Sequence, residues 1–147
     1  MNDKEYVKDI IKCFYTRQIE KSRLLIDLVY DINTLDTSGK DLLTESVYTG
    51  EIDIVRHILN RGATIRDSNV EDGPVWAACK TGNLEILELL MDHGAKVNIH
   101  NAKGQTPLYL AASRRHKSII RLLLLQGAVL DICTFREYPN FRADIAI

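Results

Sequence analysis

Apolar doublets recur along the chain at helical spacing. Ile54-Val55 is followed by Ile58-Leu59, Ile86-Leu87 by Leu90-Met91, and Ile119-Ile120 by Leu123-Leu124. The i, i+1, i+4, i+5 pattern puts all four side chains on one stripe of a helix but on both faces of a strand, so it predicts three helices with one buried face. Glycines at 62, 94 and 127, each followed by alanine, stand where these helices should stop. They lie 32 and 33 residues apart, so the chain repeats with a period near 33.

A second, shorter helix is predicted upstream of each doublet helix. Thr106-Pro107 is a threonine N-cap followed by proline at the first helical position, where a missing N–H costs nothing. Gly73-Pro74 and Asp41-Leu42 stand at the same place in the other two copies. Small residues follow on one face: Ser46 and Val47, Ala78 and Cys79, Ala111 and Ala112. They allow neighbouring helices to approach closely, so Cys79 reads as a core residue rather than a nucleophile. Gly50 and Gly82 are expected to end these helices in a left-handed turn. In the third copy Arg115 takes that place, which predicts a strained turn there and a gain in stability on Arg115→Gly.

These units, "GKDLLTESVYTGEIDIVRHILNRGA", "EDGPVWAACKTGNLEILELLMDHGA" and "GQTPLYLAASRRHKSIIRLLLLQGA", resemble ankyrin repeats from about Asp31 to the C-terminus. The match is best in the third copy and weakest in the first, where "DLLT" replaces the family's "TPLH". The resemblance implies an all-α solenoid of stacked helix–turn–helix units joined by β-turn loops, elongated and slightly curved. Residues 1–35 read as a degenerate capping repeat: "DKEYVKDIIKCFYTRQ" is amphipathic but the motif glycines are missing. Three repeats follow over about 36–67, 68–100 and 101–131, and 132–147 forms a partial repeat or capping helix, expected near Asn140–Ile147. Phe141, Ile145 and Ile147 are apolar for an outermost element, which favours a chain that continues past Ile147.

Composition narrows the function. The 147 residues are 46% hydrophobic and 27% charged with a net charge of −1, so no global field draws the chain to nucleic acid or an anionic membrane. No apolar stretch is long enough to span a bilayer. Three widely spaced cysteines argue against a disulfide framework or zinc cluster and fit a reducing, cytoplasmic or nuclear compartment. Histidines 57, 93, 100 and 116 have no metal spacing, and phosphate loops, nucleophile elbows and zincin motifs are absent. The reading is therefore a non-enzyme with no cofactor.

What the resemblance implies is protein binding, through the concave face made by turn tips and first helices. The matching positions are Asp72, Lys103 and Gln105 at the tips and Tyr48, Lys80 and Arg114 on the helices, with Asn69 and Val70 among further tip residues. Trp76 and Tyr109 stand where the family commonly has a histidine that braces the turn. Two roles are open for them: bracing by packing, or presenting ring edges as interface anchors. A row of aromatic and basic groups about 10 Å apart per repeat would suit an extended or helical partner segment with acidic and apolar residues. The expected unit is a monomeric interaction module of an adaptor or effector. Two readings stand beside it. One is a small ankyrin inhibitor of a Rel-type transcription factor, for which the chain has no acidic tail or phosphodegron-like serine pair. The other is an RNA- or nucleotide-sensing module that stacks bases on Trp76 or Tyr109 beside Lys80, Lys103 or Arg114. Leu125 suggests a further apolar patch on the outer helices.

Overall fold

A computed structural model describes residues 2–67, 72–130 and 132–138. All regular structure among them is helical: α1 (Asp3–Tyr15), α2 (Ile19–Ile26), α3 (Leu42–Thr49), α4 (Ile52–Asn60), α5 (Pro74–Thr81), α6 (Leu84–Asp92), α7 (Pro107–Ser113), α8 (Lys117–Leu125) and α9 (Ile132–Glu137). The chain divides into two compact units, Met1–Ile65 and Arg66–Ile147.

Within the first unit α1 packs on α2 and α3 on α4, while α1 meets α3 and α2 meets α4. First helices thus stack on first helices and second on second, which is how a helix pair too small for its own core buries its apolar stripe. The core is formed by Val7, Ile10, Ile11 and Phe14 of α1, Ile26, Leu42, Leu43 and Val47, and the doublets Ile54, Val55, Ile58 and Leu59. The degenerate N-terminal segment is therefore a full helix pair. Its α1 starts with a capping box in which Asn2 and Glu5 satisfy each other's backbone N–H groups. The open carbonyls at the end of α2 are met from α4: Arg61 donates to the carbonyls of Ile26 and Val29 at 2.6 Å each. His57 Nε2 lies 2.7 Å from Asp27 Oδ1 beside it.

The second unit repeats the scheme, with α5 against α6 and α7, α8 against α7 and α6, and α9 against α7. Its centre is fully buried Trp76, Ile86, Leu87, Leu90, Ile120 and Leu123. Cys79 is also fully buried, and burial pushes its thiol well above the usual range, so it behaves as a small apolar residue.

Helix starts follow the caps read from sequence. Asp41 accepts from the N–H of Thr44 and Thr106 from that of Tyr109, each at 3.0 Å. Asp36 and Asn101 shape the turn tips, each accepting two backbone N–H groups from the residues that follow. One register further on, Thr134 and Glu137 replace the Asn101–Gly104 pattern. There the chain forms α9 where the preceding repeat has its turn tip. The expected final helix at Asn140–Ile147 lies outside the described residues.

Gly50 and Gly82 end α3 and α5 with φ of 76° each. Arg115 holds the same left-handed place with φ 55°, and so does Arg17 with φ 61°, a position the sequence reading passed over.

Candidate functional site

The residues singled out from sequence fall into two groups. In the second unit they are largely engaged with one another. Trp76 opens α5 and is 0% exposed. Its indole N–H donates to the carbonyl of Gln105 at 3.0 Å, tying one first helix to the tip of the next repeat. A Cβ on Gly73 would sit 2.8 Å from the Trp76 ring and 2.6 Å from the Arg66 carbonyl, so glycine here makes room for tryptophan. Trp76 therefore braces the turn by packing. The expectation that it presents a ring edge to a partner, or a face to a stacked base, is corrected by its burial.

Tyr109 stands one repeat later at the same position. Its hydroxyl donates to the Glu137 carboxylate, and its ring meets Tyr138 edge-on at 5.3 Å and 66°. The bond to Glu137 raises the phenol's pKa above its ordinary value. Tyr109 is half-buried and engaged with the segment at the end of α9, as Trp76 is with Gln105.

The charged candidates pair similarly. Lys80 Nζ lies 3.4 Å from Asp72 Oδ2, so two proposed contact residues meet each other within one repeat. Gln105 accepts from the Asn101 amide at 3.1 Å and is half-buried. Lys103 and Arg114 are exposed. His116 reaches back to within 3.2 Å of the Lys80 carbonyl, and its ring lies where a Cβ on Gly82 would be, 2.6 Å away. Asn69 and Val70 lie outside the described residues.

In the first unit Tyr48 is 41% exposed in the last turn of α3. The structure adds a neighbour that the sequence reading missed: Tyr15, 64% exposed in the last turn of α1. The two lie 33 residues apart, one repeat period, and that register is the signal that could have found Tyr15. Lys40, at the tip before α3, lies 3.2 Å from the Tyr15 hydroxyl, which in turn donates to Glu45 at 2.8 Å. The bond to Tyr15, with the negative charge of Glu45 behind it, raises the pKa of Lys40 above the ordinary lysine value, so it stays a cation.

Elsewhere, Leu125 is 82% exposed at the end of α8, near exposed Val129 and Leu130. Among the described residues no group of three or more His, Cys, Asp or Glu could hold a metal ion, and no helix is long and apolar enough to cross a membrane.

A family model for ankyrin repeats in three copies matches residues 65–134. The chain is 28% identical to alpha-latrocrustotoxin-Lt1a of Latrodectus tredecimguttatus over 79% of its own length and 8% of the toxin's. It is 30% identical to a putative ankyrin repeat-containing protein of Treponema pallidum, over 75% of this chain and 38% of that one. It is 35% identical to the ankyrin repeat protein nuc-2 of Neurospora crassa, over 68% of this chain and 10% of the relative. The chain thus spans well under half the length of each of these relatives. Ankyrin repeats are a non-catalytic fold that generally binds other proteins. The register of caps and doublets, the helix-on-helix stacking and these similarities converge: the chain belongs to the ankyrin-repeat family.

Proposed function

We propose that this chain is a non-enzymatic interaction module that binds a partner protein through its first helices and turn tips, in the cytoplasm of its cell. The observation that carries the reading is the use of aromatic residues. Trp76 and Tyr109 are held within their unit, whereas Tyr15 and Tyr48 keep ring surface at the solvent boundary on equivalent first helices. Tyrosines so placed supply large, rigid contact area at small entropic cost. Trp76 is fully buried and offers no face for a stacked base, which counts against a nucleic-acid reading.

The test is retention of protein from a nuclease-treated extract on the immobilised chain. Retained protein should survive nuclease and show a shallow dependence on salt between about 50 and 200 mM. The pair Tyr48→Ala with Arg114→Ala should abolish retention, and the outer-helix pair Arg56→Ala with Glu88→Ala should leave it intact. Retention that vanishes with nuclease, or that falls steeply with salt, would count against the proposal.

A further inference from the structure

A depression of about 210 Å³ opens in the first unit, lined by Phe14, Tyr15, Arg17, Glu45, Tyr48 and Thr49. Phe14 is buried, and the two tyrosines stand with exposed ring surface. The volume lies below the roughly 300–1,000 Å³ of sites that enclose a small molecule, so it suits one side chain of a larger ligand.

The polar groups at its rim hold one another. Arg17 Nη1 donates to the Thr49 carbonyl at 2.9 Å, and Nη2 lies 3.4 Å from Glu51 Oε1. Lys40 and Glu45 both bond the Tyr15 hydroxyl, from opposite charges. Each cation is thus matched by a carboxylate within the same rim, so local charge does not favour an acidic ligand. The same bonds fix the Tyr15 ring before anything binds, which lowers the entropic cost of using it as a wall. What the walls offer is aromatic surface.

We propose that this depression receives a single uncharged apolar side chain, such as leucine, methionine or phenylalanine, from an extended segment of the partner protein. The proposal rests on the interaction-module reading and deepens it. Recognition is by insertion between Tyr15 and Tyr48 rather than by charge pairing. It replaces the acidic, charge-steered segment that the basic residues suggest in the sequence.

The probe is a phage-displayed library of random peptides, selected on the full chain. Selected peptides should share one apolar residue, and a synthetic copy with Asp at that residue should not bind. Tyr15→Ala and Tyr48→Ala should each weaken binding about thirtyfold, the size of a central aromatic anchor, with Tyr48→Phe close to wild type. Affinity should change little with salt, because no net charge is neutralised. Thermal melts establish that the variants are folded. Chemical-shift changes of the Tyr15 and Tyr48 rings in the wild-type chain, on adding peptide, give a reading that needs no variant. Peptides with an acidic consensus and steep salt dependence, peptides that ignore both alanine variants, unmoved tyrosine resonances, or no selected peptide at all would each overturn the proposal. Peptides that bind elsewhere would leave the interaction-module reading standing, whereas loss of protein retention on nuclease treatment would remove that reading itself.

Discussion

In the unit built from α1 to α4, Tyr15 and Tyr48 stand in the last turn of the first helices. In the unit built from α5 to α9, Trp76 and Tyr109 stand in the first turn. A side chain in the first turn reaches the segment one repeat further on, and both Trp76 and Tyr109 do so, bonding Gln105 at a turn tip and Glu137 at the end of α9. In the first unit that position holds Thr44, whose hydroxyl turns back onto the cap residue Asp41 at 3.0 Å. Both ends of a first helix bond to the neighbouring repeat, but only the last turn, where Tyr15 is held by its hydroxyl, leaves ring surface exposed. The position of an aromatic residue within the helix, rather than its presence, separates scaffold from candidate site.

The sharpest way to break this comparison is to truncate one aromatic of each kind. Trp76→Ala removes the largest fully buried side chain and should cost about 3–5 kcal/mol, enough to unfold a marginal unit. Tyr15→Ala and Tyr48→Ala remove partly exposed rings, the first with its bonds to Glu45 and Lys40, and should cost less, about 1–2 kcal/mol. Urea unfolding followed by circular dichroism measures all three. Equal losses would show that the tyrosines also carry structure.

The left-handed turns extend the comparison. At Gly50 an added Cβ meets nothing within 4 Å, so Gly50→Ala should cost about 1 kcal/mol for backbone strain alone. At Gly82 the same Cβ would strike the His116 ring, which must then leave the Lys80 carbonyl. Gly82→Ala should therefore cost about 2 kcal/mol, the added kilocalorie being the displaced hydrogen bond. In a His116→Ala background the two glycine variants should become equal. A double-mutant cycle showing no coupling would dissociate His116 from this turn.

These particulars show which parts of the molecule could be read from sequence. The helix pairs were legible because glycine, proline and cap residues punctuate them at fixed offsets, and the doublets give one buried face. The burial of Trp76 was one of two open readings. The residue that decides it is Gly73, in the place of the family's threonine, whose missing side chain is needed only if the ring folds back. Tyr15 and Arg17 were overlooked because α1 has thirteen residues where α3 has eight, which hides the register at the start of the helix while preserving it at the end. Counting back from Tyr48 and Gly50 recovers both. The cluster of Lys40, Glu45 and Tyr15 joins residues 25 and 30 apart, and no local pattern reports such a meeting.

The two arginines in left-handed turns are separable by a smaller effect. Arg17 has compensation on view: its guanidinium bonds the Thr49 carbonyl and reaches Glu51. Arg17→Gly should relieve about 1 kcal/mol of strain and lose about 1 kcal/mol with the carbonyl bond, leaving stability nearly unchanged. The exposed Glu51 pair adds little. Arg115→Gly relieves the same strain of about 1 kcal/mol, some 2–8 °C in melting temperature, against the loss of the contacts that the Arg115 side chain makes, and should raise stability where the strain is the larger. A fall instead would show that the contacts of the Arg115 side chain outweigh its backbone strain.

A further small effect concerns the start of α1. Asp3 accepts from the backbone N–H of Asp31 at 2.8 Å and of Tyr30 at 3.1 Å, fastening the first turn of α1 to the segment after α2. The Asp31 N–H, and then that of Tyr30, hold the Asp3 carboxyl below its ordinary value of 3.8. A carboxylate whose pKa is depressed by folding stabilises the native state above its unfolded pKa, and that contribution is lost as pH falls through the lower native value. Asp3→Asn should therefore be slightly less stable than wild type at neutral pH. The gap should begin to close as pH drops past 3.8 and should vanish once Asp3 is protonated in both states. Because the carboxylate is exposed to solvent, the whole effect should be smaller than that of either glycine variant above. Urea midpoints of the two chains across the acid range measure it. A gap that stays constant with pH would mean that Asp3 acts through shape and amide-like hydrogen bonding, with its charge contributing nothing to the fastening of α1.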